Sequence, residues 1–177
     1  LLYSLSEPNS EVPIADAKAY LDEKGIAYTE ATANTNDEVI AAASSLIADG
    51  VDAVFTPTDN IIMAAELAIY EDFINAGIPH YAGADSFVRN GAFATCGVNY
   101  TDLGTQTADL ALQVLQTGEF PEYVRVSGDI ITVNTDTAAA LEADYSMFAD
   151  MGAQLGEGQT TPESNVPLIP HSRRRRR

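Results

Sequence analysis

Short apolar runs alternate along this chain with longer stretches whose apolar residues recur every three or four positions. Leu1–Leu5 (LLYSL) reads as a buried strand. Glu11–Lys24 follows, with Val12, Ile14, Ala15, Ala19 and Leu21 on one helical face, and Gly25 is placed to end it. Ile26–Thr32 reads as a second strand. Thr35 or Asn36 then caps a helix carrying Val39, Ile40, Ala43, Leu46 and Ile47 as far as Gly50, with Asp37 and Glu38 suited to its first turn. Val51–Thr56 is a third strand. Thr58 or Asp59 caps the next helix, whose stripe is Ile62, Ala65, Leu67, Ile69 and Phe73 and whose stop is Gly77. Ile78–Gly83 and Gly91–Val98 are the fourth and fifth strands. A helix from Tyr100 or Thr101 to about Gln116 closes at Thr117-Gly118.

Strand and helix in alternation predict an α/β fold: a three-layer, Rossmann-like lobe with a mostly parallel sheet in the order 2-1-3-4-5 and helices on both faces. After Gly118 the rhythm changes. Val124–Gly128 and Asp129–Asn134 read as two short strands around a Ser-Gly-Asp turn, and Asp136–Leu141 as a short helix. From about Gly156 the composition turns to Gly, Gln, Thr, Pro, Glu and Ser, which predicts a flexible end. The expected organisation is one lobe over residues 1–155 and a linker over 156–177. The final HSRRRRR reads as an added tag and is set aside from the functional argument.

Charge narrows the function classes. The net charge is −17, and five of the nine basic residues are the terminal run Arg173–Arg177. The rest of the chain sets four basic residues against 26 acidic ones, which disfavours nucleic acid and anionic membrane surfaces as partners. No apolar run reaches the roughly 18 residues of a membrane span. The single cysteine, Cys96, excludes an internal disulfide and cysteine-built metal sites, and its apolar context predicts a buried small hydrophobe. No cofactor or metal motif is present in the sequence. Neither a phosphate-cradling glycine loop nor a G-x-S-x-G elbow occurs. Of the two histidines, His171 lies in the tag region and His80 within the fourth strand, packed or half exposed. The chain therefore reads as a binding module rather than an enzyme.

The polar loops carry the candidate chemistry. SEPNSE, TPTDN, GADS and GVNYTDLG each follow an apolar run, and an open parallel sheet brings such loops to one edge, at the carboxyl ends of its strands. In the first loop, Pro8 restrains the chain, and Asn9 and Ser10 either cap the following helix or help its free N–H groups hold an anionic group. In the second, Thr58, Asp59 and Asn60 crowd one helix start. One of them suffices as a cap, and the surplus points to a ligand, with Asp59 able to accept from an ammonium. Asp85, with Ser86, either pairs with a ligand amine or caps a short helix around Phe87. Tyr100 either walls a pocket or is an ordinary helix-start tyrosine.

Taken together, LLYSLSEPNS, GVDAVFTPTDN, GAFATCGVNYTDLGTQTADLALQVLQTGEFP and ITVNTDTAAAL resemble the substrate-binding proteins of bacterial ABC transporters, in the group that includes tryptophan- and other aromatic-amino-acid-binding lipoproteins. The resemblance spans Leu1 to Leu141. It implies a type I periplasmic-binding fold in which two α/β lobes close on a solute, this chain being the carboxyl-terminal one. The amino-terminal lobe, signal peptide and lipid-bearing cysteine would precede Leu1. It further implies an extracytoplasmic location, a transporter permease as partner, and an amino acid as the expected solute. Asn9, Ser10, Thr58, Asp59, Asn60 and Asp85 would line half the cleft. A lone lobe is expected to bind weakly and to be prone to self-association. Two alternatives carry the same architecture: an effector- or sugar-binding domain of a regulator, and a small flavodoxin-like enzyme.

Overall fold

The computed structural model describes residues 1–120, 126, 128, 130–151 and 154–161. Its order is β1 (Leu2–Tyr3), α1 (Pro8–Lys24), β2 (Ala31–Thr32), α2 (Asn36–Asp49), β3 (Val54–Thr56), α3 (Asn60–Asn75), β4 (His80–Ala82), α4 (Asp85–Arg89), β5 (Ala94–Gly97), α5 (Tyr100–Thr117), β6 (Ile130–Asn134) and α6 (Thr135–Ala140). A 3₁₀ turn at Ser146–Asp150 and β7 (Gln154–Gly158) complete it.

The helix ends follow the sequence signals. Gly25 and Gly50 adopt φ of 66° and 68° and return their N–H groups to the last turns of α1 and α2. Only a residue without a Cβ takes that conformation at no steric cost. Thr35 caps α2 by accepting from the Glu38 N–H, and Asp59 caps α3. The first helix departs from expectation. It begins at Pro8, with Glu7 as an N-cap whose side chain makes no capping bond, so Asn9 and Ser10 lie inside the first turn instead of capping it. Proline at the first helical position explains the early start, because its missing N–H would be unpaired there in any case.

The sheet is mostly parallel. β1 pairs with β2, and β3-β4-β5 run parallel in that order, with Val54 opposite His80 and Tyr81 opposite Ala94. β1 lies beside β3 without a continuous ladder, so the five strands fall in the expected spatial order 2-1-3-4-5 as two hydrogen-bonded groups. The sheet then extends further. β6 pairs antiparallel with β5, and β7 pairs parallel with β6 over all five of its residues. Gly156–Gly158 thus belongs to a strand, not to a loose end, with Gly156 opposite Thr132 and Gly158 opposite Asn134. The second strand is shorter than expected, since the backbone of residues 26–30 touches β1 only at single bonds such as Leu1 N–H to Thr29 O. The expected strand at Val124–Gly128 lies largely outside the described residues.

Two clusters of apolar residues hold the layers. Leu2, Val54 and Ala82 on one face meet Val39, Leu46, Ile62, Ile69, Phe73 and Phe87 from α2, α3 and α4. On the other face, Ala94, Ile131 and Val133 meet Ala138 and Phe148, and Ile14 of α1 lies by Tyr3 at the far end. Between these two patches the second face stays open as a cleft of about 360 Å³ lined by Phe55, Tyr81, Cys96 and Ile131. Cys96 is therefore exposed, contrary to the reading from its apolar neighbours. Strand alternation turns it to the uncovered face, and none of the residues of α5 is buried to cover it. The same partial burial pushes the Tyr81 phenol pKa up.

Asn134 is the main polar tie of the far end. It is fully buried, accepts from the Asp136 and Thr137 N–H groups, and donates to Val88 O at 2.7 Å and Thr160 Oγ1 at 2.9 Å. Asn134→Ala removes the amide's bonds to Val88 O and Thr160 Oγ1 and leaves α6 uncapped, while Val88 O keeps the Gly91 N–H; it is expected to cost about 1–3 kcal/mol in urea denaturation.

Candidate functional site

Parallel strands put the ends of β1, β2, β3, β4 and β5 at one edge, and the hydrogen bonds there join their loops. The link between the loops after β1 and β3 is Asp59. Its Oδ2 accepts from the Ser4 N–H and from Ser10 Oγ, both at 2.7 Å, while Oδ1 accepts from the Ile61 and Ile62 N–H groups at 3.0 and 3.1 Å. Asp59 is 1% exposed and Ser10 is fully buried. The accepting positions of this carboxylate are filled from within the protein, so it sits beneath the edge as a strut. Around it, Asn9 Nδ2 donates to the Thr58 carbonyl, and Asn60 Nδ2 donates to Glu7 Oε2 at 2.9 Å.

The loops after β3 and β4 are locked more tightly still. Thr58 Oγ1 donates to Gly83 O at 3.1 Å. A Cβ on Gly83 would lie 2.5 Å from Thr58 N and 2.7 Å from the Pro57 carbonyl carbon, both backbone atoms with no freedom to yield. Gly83→Ala is therefore expected to push these loops apart and cost about 1–3 kcal/mol, read as a lowered melting temperature.

Asp85 differs from Asp59 in every respect that matters for a ligand. It is the first residue of α4, where Ala84 is the N-cap and no side chain makes the capping bond. Its carboxylate is partly exposed and has no hydrogen bond or ion pair among the described residues. It faces the end of β5, with Oδ1 3.8 Å from an ideal Cβ on Gly97. Ser86 beside it is partly exposed. Tyr100, 58% exposed, opens α5 after the Asn99 side chain has capped that helix through the Thr101 and Asp102 N–H groups. Glu7 and Glu38 add negative charge to the same edge. Lys18 is held at Glu30 and Lys24 at Glu23, both on or beside α1, and Arg89 lies in the last turn of α4. The Lys18 ammonium and the Tyr3 hydroxyl keep the Glu30 carboxyl below its usual range. The edge thus offers a ligand an acidic rim, open hydroxyl and amide groups, and a tyrosine ring.

Sequence reasoning passed over four contributors. Ser4 was counted as strand, yet its hydroxyl reaches Asn34 Oδ1 at 3.0 Å and its N–H reaches Asp59. Asn34, with its N–H on Glu38 Oε2, forms a fifth polar loop after β2. The order 2-1 places that loop on the same edge, so the run ANTND was the available signal. The close approach at Gly83 and the cap at Asn99 both depend on backbone geometry that the sequence pattern does not mark.

An open, doubly wound sheet whose loops converge on one edge and link side chain to side chain is a small-molecule-binding α/β lobe. The family model described as ABC transporter substrate binding protein matches residues 1–145, and the chain belongs to that family. A tyrosine-binding protein of Clostridioides difficile (strain R20291) is 31% identical over 145 residues, which are 80% of this chain and 41% of that protein. Among solved structures, a ligand-free, open substrate-binding protein with adhesive properties from Clostridium difficile superposes with a TM-score of 0.72 at 27% identity, over 90% of this chain and 53% of that one. A Streptococcus ABC domain in complex with L-Trp gives 0.73 at 25% identity, over 87% and 53%. This chain thus spans about half the length of these relatives. Proteins of this family bind small-molecule solutes outside the cytoplasm and work with ABC transporters. Among the described residues, no helix is long and apolar enough to cross a membrane.

Proposed function

We propose that this chain is one gripping half of an ABC importer's solute-binding protein, and that the solute is an amino acid, an aromatic one before others. The observation that carries the reading is Asp85: a partly exposed carboxylate at the convergent edge that no described residue bonds, and which is read as accepting from an ammonium. The tyrosine- and tryptophan-binding relatives support the solute class. Asn9, Thr58, Asn60, Ser86 and Tyr100 are read as the side chains around it, and Ser10 and Asp59 as the frame that fixes them. The length spanned by relatives but not by this chain supplies the opposing wall. The exposed apolar side chains of α5, Leu112 and Leu115 among them, are read as packing on that wall. No catalytic role is assigned; a permease partner and a lipid anchor belong to the same reading.

A thermal-shift and calorimetry screen of amino acids and sugars on the complete protein tests it. Tyrosine or tryptophan is expected to give the largest stabilisation. A response confined to sugars would overturn the amino-acid assignment. This chain alone leaves any solute open to water on one side, and is expected to bind at least about a hundredfold more weakly. Light scattering across a concentration series is expected to show it associating with itself through the uncovered surfaces.

A further inference from the structure

The core behind the loop after β3 contains a chain of polar side chains that neither packing nor ligand contact explains. Glu66 of α3 is fully buried, and its Oε1 lies 2.9 Å from His80 Nδ1. His80, 2% exposed, reaches Thr56 Oγ1 with Nε2, again at 2.9 Å. Thr56 is fully buried and is the last residue of β3 before Pro57, Thr58 and Asp59. The imidazole is held between Phe73, at 5.5 Å between ring centroids, and Phe87, edge-on at 6.1 Å. Such a chain is an expensive way to fill space. A buried carboxylate and imidazole lose their hydration, and apolar residues of similar volume commonly fill the same room with no loss of stability. Glu66 Oε2 finds no donor among the described residues, which adds to the cost.

We infer that Glu66 and His80 are positioning residues for the binding edge, acting through the Thr56 hydroxyl. Their placement shows what they fix. Glu66 lies two turns into the helix that Asp59 caps. His80 opens the strand whose far end, at Ala82, leads to Gly83 and Asp85. Thr56 closes the strand that leads to Thr58. The relay therefore ties α3, β3 and β4 together at one buried point directly beneath the loops. With the Thr56 side chain held, the Pro57–Asp59 backbone has one setting, and with it the Thr58 contact to Gly83 and the Asp59 contacts to Ser4 and Ile62. Apolar substitutes would hold the three elements in contact without fixing that rotation. The effect on ligand affinity rests on the binding role proposed above; the effect on the loop does not.

Amide hydrogen exchange under native conditions separates positioning from plain packing. Thr56→Val keeps the shape and removes the hydroxyl. The Ser4 and Ile62 amides, both held by Asp59, are expected to exchange roughly tenfold faster, while Val54, bonded to Pro79 O, keeps its parental rate. Thr56→Ser returns the hydroxyl and is expected to restore both rates. The double variant Glu66→Met/His80→Leu is expected to melt at or above the parent temperature and still show the faster exchange at Ser4 and Ile62. Parental exchange at those two amides in Thr56→Val overturns the proposal, as does parental exchange in a folded double variant. In the complete protein, Thr56→Val is expected to weaken binding of tyrosine or tryptophan roughly tenfold, about 1.4 kcal/mol. A parent that binds neither sinks the solute assignment and leaves the exchange result standing.

Discussion

Asp59→Ala is expected to remove about 3–5 kcal/mol of folding stability, the largest loss from any single polar substitution at the binding edge. The carboxylate holds four donors at once, and three of them, the Ser4 N–H, the Ser10 hydroxyl and the Ile62 N–H, are in buried residues. Without it those donors have no water to turn to, and α3 loses its cap as well. For a domain of this size the loss corresponds to a fall of roughly 6–20 °C in melting temperature, measurable by circular dichroism. Asp59→Asn sharpens the test. Its Oδ1 can still cap Ile61 and Ile62, but an amide nitrogen would then face the Ser4 N–H, donor against donor. It is expected to recover only the capping part, about 1 kcal/mol. A melting temperature within about 2 °C of the parent for Asp59→Ala would show that β1 is held beside β3 by packing alone.

The sequence offers Asp59 as a cap or as a ligand group, and the structure makes it the α3 cap and a strut to the loop after β1. A carboxylate next to a helix start reads the same whether it caps, struts or binds, because all three uses need an acceptor at that spot. What separates them is the number of donors arriving from elsewhere. Ser4 and Ser10 are 55 and 49 residues away in the chain, beyond any local pattern. Asp85 shows the converse. Its position one residue past the cap, rather than at it, depends on Ala84 taking the N-cap conformation, which no residue preference announces. The strands and helices were legible because glycines and periodic apolar residues mark them locally. Cys96 was not, because exposure on a sheet face depends on what covers it, and α1, α6 and the 3₁₀ turn leave a gap there. The seventh strand was hidden for a similar reason. LGEG has little strand preference of its own, and what holds it is pairing with β6 and the packing of Leu155 on the second apolar cluster, both distant in sequence.

The second large effect is expected at Asp85, and on binding instead of folding. In the complete protein, Asp85→Asn removes the charge that the proposed reading pairs with the ligand ammonium. Losing one partner of a desolvated, charge-assisted pair costs about 2–5 kcal/mol. At ~1.4 kcal/mol per decade this is roughly a 30-fold to several-thousand-fold rise in dissociation constant, measured by calorimetry with tyrosine or tryptophan. The melting temperature without ligand is expected to stay nearly unchanged, because the Asp85 side chain neither caps α4 nor bonds to another described residue. Asp59 and Asp85, 26 positions apart in sequence and both near the same edge, should thus give opposite signatures: folding without a direct ligand effect at one, affinity without a folding effect at the other. Ligand analogues separate the remaining causes. An amino acid whose ammonium is acetylated should bind the parent weakly and lose little more in Asp85→Asn, since the partner charge is already gone. If Asp85→Asn binds the free amino acid as the parent does, the ammonium is held by the opposing wall, and this edge grips the solute through Thr58, Asn60 and Tyr100 instead.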